Sequence, residues 1–307
     1  MGRKRARGHR GLSNGLCYNF IRFIHTVGFG EMGEEKRKSR TRKAILSTEP
    51  RCIYCPGPPQ TVEHMPSIGM LRGKVRPSGM EYAACVACNN GTRGSDAVAA
   101  VLARLHPDNG ESSWQAEEIR KLMSALDAYA PGVREELSQP GKARSEWLRR
   151  PSSGLLQRVI RVNADGPKLK AYLSVYGAKL AMALYREHVG TALPLDGAVW
   201  CQFALNSGMT QEHLDERVKI MPLHETLRQG QKNVGNQFVY RYNTDGRTIV
   251  AAVAQFHRGL WFTLLASCDP KIIELIVKPE FVGLPASVLV RPGELLRLLP
   301  SSAATAA

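Results

Sequence analysis

The chain has 307 residues, 43% of them hydrophobic, and carries a formal charge of +15. That length and apolar content suit one large core or two smaller ones, not a disordered or fibrous chain. No run of about 18 apolar residues occurs, so a membrane-spanning helix is not expected.

The positive charge is uneven. Residues 1–51 hold 13 Lys/Arg against 4 Asp/Glu, leaving 29 against 23 in the remainder. A basic arm ahead of a mildly basic body points to a polyanionic partner, most simply nucleic acid. Two charge blocks, residues 3–10 and 36–43, lack clean periodicity, so little fixed structure is expected over residues 1–44. Residues 16–29 are fairly apolar, but Asn19, Arg22 and His25 are poor for a signal-peptide core. Residues 1–30 contain no acidic residue, as in organelle transit peptides, and Met32 is an alternative start. The expected location is cytoplasmic, with the nucleoid if the source is bacterial.

Four of the seven cysteines form two Cys-x-x-Cys pairs, Cys52/Cys55 and Cys85/Cys88. Cys17, Cys201 and Cys268 are scattered. That usage reads as a reducing compartment with a metal site, not a disulfide framework. Paired knuckles place four thiolates at the corners of a tetrahedron, which suits a structural Zn2+.

In chain order, Pro56, Pro58 and Pro59 predict an extended loop after the first knuckle. Residues 61–64 suit a short strand, and residues 80–84 a second that runs into the second knuckle. Ser95-Asp96 is a candidate N-cap for a helix over 97–106, with Asp96 otherwise an extra metal ligand. Residues 114–129 carry Ile119, Leu122, Met123 and Leu126 at helical spacing, stopped by Pro131-Gly132. A polar stretch over 139–154 follows. A strand is expected over 155–163, a long helix over 168–189, a strand over 198–205 and a short helix over 210–218. Residues 237–242, 248–256 and 260–267 alternate between turn signals and predict an antiparallel meander. Residues 301–307 should be loose. The organisation is a basic arm (1–44), a knuckle unit (45–110), a helical connector (111–154) and an α+β C-terminal region (155–307).

Between the knuckles lie Glu63-His64 and Met65-Pro66, and Asn89 follows the last cysteine. A metal-dependent nuclease needs a divalent cation, a base for water and a scaffold aiming both at one phosphate. Glu63 offers a carboxylate, His64 an imidazole and Asn89 an amide oxygen. Neighbouring side chains on a strand point to opposite faces, so both Glu63 and His64 serve one site only if the strand distorts or ends there.

Cys-x-x-Cys, Glu-His-x-Pro and Cys-x-x-Cys-Asn-Asn-Gly-Thr, here Cys52 to Thr92, resemble the zinc-knuckle HNH endonucleases. The resemblance implies a small ββα-metal unit clamped by structural zinc on Cys52, Cys55, Cys85 and Cys88. It implies His64 as general base, with Glu63 and Asn89 as ligands of a catalytic Mg2+ or Mn2+. The implied activity is phosphodiester hydrolysis in DNA. A zinc-dependent nucleic-acid-binding module without catalysis, or an RNA-directed nuclease, are the alternatives. Two features depart from the family pattern. Glu63 stands where Asp is common, and no Asn stands near Met80, where the family's middle Asn would fall.

Overall fold

The computed structural model describes residues 34–104, 116–149, 154–205, 218–219, 227–277 and 288–300. The architecture is α+β. Helix α1 (Glu34–Thr48) leads to a short antiparallel hairpin, β1 (Thr61–His64) and β2 (Glu81–Ala84), paired from Thr61↔Ala84 to His64↔Glu81. Helices α2 (Val86–Gly91) and α3 (Arg93–Arg104) follow directly, then α4 (Ala116–Tyr129) and α5 (Val133–Leu137). Strands β3 (Arg144–Arg149) and β4 (Leu156–Arg161) make a separate two-stranded ribbon. Helix α6 (Pro167–Val189) lies against a six-stranded antiparallel sheet. Its strand order is β10 (Val288–Val290), β5 (Ala198–Leu205), β9 (Leu260–Ser267), β8 (Ile249–Phe256), β7 (Phe238–Thr244) and β6 (Arg228–Gln229). Helix α7 (Pro270–Ile276) packs on β5 and β9.

Helix α6 is the axis of the molecule. Pro167 opens it where no intrahelical donor is needed, and Gly190, at φ 87°, closes it by giving its N–H to Arg186 O. Residues from Leu169 to Tyr185 are mostly buried, because the sheet covers one side of the helix and α3 another. A helix enclosed on several sides is apolar nearly all round. Tyr176 sits edge-on to Phe256 at 5.8 Å and tilted against Phe262 at 5.6 Å, which ties α6 to β8 and β9. One apolar cluster runs from Cys52, Tyr54 and Met65 through Val98 and Leu102 of α3 and the length of α6 to the sheet. Gly94 lets α3 approach α4, since a Cβ there would stand 2.3 Å from the Tyr129 carbonyl oxygen.

The expected meander forms: Phe238↔Phe256 and Thr244↔Val250 pair β7 with β8, and Phe256↔Leu260 and Ile249↔Ser267 pair β8 with β9. Three expectations need correction. Residues 34–44 are helical, because α1 lies over the hairpin, with Arg42 Nη2 donating to Gln60 O at 2.9 Å. The polar stretch over 139–154 contains strand β3, held by pairing with β4. Helix α3 begins at Arg93, four residues earlier than the expected helix at 97, so Asp96 lies inside its first turn and caps nothing. The helix expected over 210–218 falls almost wholly outside the described residues, as do residues 1–33 and the tail at 301–307.

Candidate metal centre and the histidine beside it

The four knuckle thiols converge. Cys52 and Cys55 lie in the loop before β1, while Cys85 caps α2 and Cys88 lies within it. All four sulfurs lie within 4.8 Å of one another, and Cys55 Sγ is 3.6 Å from Cys85 Sγ. A tetrahedral ion with bonds of about 2.3 Å requires sulfurs about 3.8 Å apart. Backbone N–H groups turn toward the sulfurs: Tyr54 N to Cys52 at 3.4 Å, Gly57 N to Cys55 at 3.4 Å and Cys88 N to Cys85 at 3.3 Å. The thiols share protons unevenly. A hydrogen bond with Cys88 holds Cys52 down to about 5, the same bond drives Cys88 up, and burial pushes Cys55 to about 11. An all-sulfur donor set of this size fits a structural metal such as zinc, and the thiolate is the liganding form.

The strand β1 divides the next two residues. Glu63 faces inward and is 3% exposed, whereas the His64 side chain is 35% exposed on the opposite face. Glu63 meets Lys179, which projects from the middle of α6 and is wholly buried. Lys179 Nζ donates to Asp96 Oδ1 at 2.8 Å and stands 3.6 Å from Glu63 Oε2, which has no hydrogen-bond partner among the described residues. Burial raises Asp96, and it raises Glu63 to about 7, with Lys179 pulling both carboxyls the other way. Burial acts to lower the Lys179 ammonium, but the two carboxylates outweigh it and the net shift is upward.

On the outer face, His64 Nδ1 lies 3.3 Å from Glu81 Oε1, its directly opposite partner in the hairpin, at ion-pair range without a completed hydrogen bond. Burial lowers the His64 pKa, and the charge of Arg76 adds to the lowering, while Glu81 opposes both. The net shift is downward, which favours the neutral imidazole. Asn89 donates its Nδ2 to Thr61 Oγ1 at 3.0 Å and to Val62 O at 3.4 Å, which leaves only its carbonyl oxygen for a cation.

Of the predicted site residues, the structure gathers the four cysteines into one cluster and sends Glu63 and His64 to opposite faces. The catalytic cation implied by the resemblance does not fit Glu63 as it stands. Mg2+ keeps several of its waters, and a carboxylate closed in beside an ammonium offers no room for them. Among the described residues, the four cysteines are the only group of three or more His, Cys, Asp or Glu side chains gathered closely enough to hold a metal. Asp96 is neither cap nor open ligand but the hydrogen-bond acceptor of Lys179.

Sequence reasoning missed Glu81, Arg76 and Lys179. Glu81 was readable as the residue opposite His64 once the hairpin register was laid out. Lys179 was readable as the only charge between Ala171 and Tyr185. Arg76 had no local signal. Comparison with protein families, with curated proteins and with solved structures finds no match to this chain.

Proposed function

We propose that this chain is an endonuclease of the zinc-knuckle HNH type that hydrolyses phosphodiester bonds in nucleic acid, with DNA the first substrate to test. The observation that carries the reading is the half-exposed His64 with the Glu81 carboxylate behind it, on a hairpin flanked in sequence by the four clustered cysteines. The knuckle residues Cys52, Cys55, Cys85 and Cys88 would hold zinc, whose chemistry there is structural: it fixes the hairpin and the start of α2.

Glu81 beside Nδ1 favours the tautomer with the proton on Nδ1 and leaves Nε2 as the acceptor. His64 Nε2 then takes a proton from water as the water oxygen bonds to phosphorus. The phosphorus bond to the leaving oxygen breaks and that oxygen takes a proton from solvent water, giving one phosphate end and one hydroxyl end. No step is assigned to a catalytic divalent ion, because Glu63 is engaged with Lys179.

That engagement favours a second reading, a zinc-dependent nucleic-acid-binding module without cleavage. Incubation of zinc-loaded protein with supercoiled plasmid separates the two. Wild type should nick or linearise the plasmid while His64→Ala, folded and zinc-loaded, should not. If both variants leave the plasmid and a mixed-sequence RNA intact with magnesium, with manganese and with chelator alike, the binding-module reading replaces the enzyme.

A further inference from the structure

The ribbon of β3 and β4 belongs to neither the hairpin nor the sheet, and among the described residues no third strand pairs with it. Its register is Ser145↔Ile160, Trp147↔Arg158 and Arg149↔Leu156 on one face, with Arg144↔Arg161 and Glu146↔Val159 on the other. Charge is divided between the faces. Glu146 takes Arg161 at 2.9 Å and Arg144 at 3.6 Å, so the second face has one carboxylate shared by its two guanidinium groups. On the first face, Arg158 Nε donates to the hydroxyl of Ser145 at 2.7 Å, and Arg149 Nη1 donates to the carbonyl of Gly154 at 3.0 Å. These acceptors orient the two guanidinium groups without cancelling their charge. Among the described residues no carboxylate pairs with either of them.

Between the two arginines stands Trp147, its side chain directly opposite Arg158 and 66% exposed. A large indole left in water beside two uncompensated cations is a poor surface for a monomer to keep without a partner. The combination matches how proteins hold single nucleic-acid strands: cations track the phosphates and an aromatic plane stacks a base, whatever the sequence. A paired duplex keeps its bases stacked on each other and offers no free face to an indole. A protein partner would suit the exposed Leu155 and Leu156 at the same end, but it would leave the two charges without a purpose.

We infer that the Trp147 face of this ribbon binds a single strand of nucleic acid, with a base on the indole and phosphates on Arg149 and Arg158. The inference rests on the nuclease reading only for the identity of the polyanion. Delivery of an unpaired strand makes the ribbon a second point of attachment, separate from His64.

The test uses the full, zinc-loaded chain carrying His64→Ala, so that the probe survives. A fluorescein-labelled mixed-sequence DNA 20-mer, single-stranded or annealed, is titrated by anisotropy across a salt series. Trp147→Ala should weaken single-strand binding about tenfold, within the range measured for one base–aromatic stack, and should leave the salt slope unchanged. Trp147→Phe should retain most of the affinity. Arg149→Ala with Arg158→Ala should reduce the slope of log affinity against log salt by about 1.4, from about 0.7 per phosphate on a single strand. All three side chains are exposed, so melting temperatures should hold. Unchanged single-strand affinity in all variants, or larger losses on the duplex than on the single strand, would overturn the inference. Cleavage by the His64 parent sequence with no effect of the ribbon variants on binding would sink the ribbon and spare the nuclease.

Discussion

Lys179 Nζ of α6 lies 2.8 Å from Asp96 Oδ1 of α3, and the lysine is wholly buried. With Glu63 of β1 3.6 Å away on its other side, one ammonium joins three elements distant in sequence: the hairpin, α3 and the central helix. Two carboxylates against one ammonium leave the cluster one negative charge in excess if all three are ionised. That excess and the burial together raise Glu63 to about 7.

Replacing Lys179 by Met should destabilise the fold by about 3–5 kcal/mol, since removing one partner of a buried ionic cluster leaves the others uncompensated. The triple change Lys179→Met, Glu63→Gln and Asp96→Asn should recover part of the loss, because no buried charge then remains. Urea unfolding of the three proteins checks this. A single Lys179→Met variant as stable as wild type would show that the ammonium is not the tie.

The cysteine cluster should hold about one zinc per chain after native purification, read by elemental analysis. Cys88→Ser should lose the metal and lower the melting temperature, because metal binding at such a site is largely folding energy. Chelation should expose Tyr54 and the hairpin amides to hydrogen exchange first, since Tyr54 N bonds to Cys52 Sγ and Ile53 N to Ala83 O. The amides of β8 and β9 should remain protected longer. Zinc-free protein with full hairpin protection would refute a structural role for the cluster.

A different element adds its own term to the response to acid. His188, near the end of α6, stacks on Tyr242 with ring centroids 3.6 Å apart and lies 5.8 Å from Tyr240. Burial lowers its pKa from 6.5 to about 4. A histidine depressed in the folded state binds its proton more readily when unfolded. Its contribution to stability is therefore present above about pH 6.5 and is lost as pH falls from there toward 4. Glu63, raised to about 7, gains its proton over the same window and acts in the opposite direction, in wild type and in His188→Gln alike. The His188 share is therefore read as a difference: acidification from pH 6.5 toward 4 should lower the urea midpoint more in wild type than in His188→Gln. An identical pH profile in the variant would place the acid sensitivity elsewhere.

How much of this could be read from the chain follows from which interactions are local. The meander was legible because its alternation and turn residues lie within a few positions of each other, from Phe238 to Ser267. The cysteine cluster was legible because Cys-x-x-Cys spacing alone brings each pair together. Strand β3 was not, since Arg144, Glu146 and Arg149 show no buried face and the strand exists only through β4. The fate of Glu63 was not legible either. Its partner lies 116 positions away on α6, and no pattern near Glu63 distinguishes a metal ligand from an ion-paired carboxylate. The alternation rule for strands did carry the correct warning, that Glu63 and His64 would part company.

The last prediction turns on Glu81, the residue behind the proposed base. If His64 removes a proton from water, His64→Ala should cost about 10² to 10⁴-fold in cleavage rate with zinc and fold retained. Glu81→Gln keeps the shape of the side chain and removes its charge. Glu81 opposes the lowering of the His64 pKa, so its neutralisation should let that pKa fall further. Cleavage rises with pH as a base loses its proton, so the acid limb of kcat/KM should move to lower pH in Glu81→Gln. The plateau rate should also fall, by at least about tenfold, because the tautomer with the free Nε2 is less well held and a less basic imidazole is a weaker base. A purely structural Glu81 would lower the melting temperature and leave the acid limb in place. A Glu81→Gln profile that overlays the wild-type curve, at a wild-type plateau, would remove Glu81 from the mechanism and leave His64 without its orienting partner.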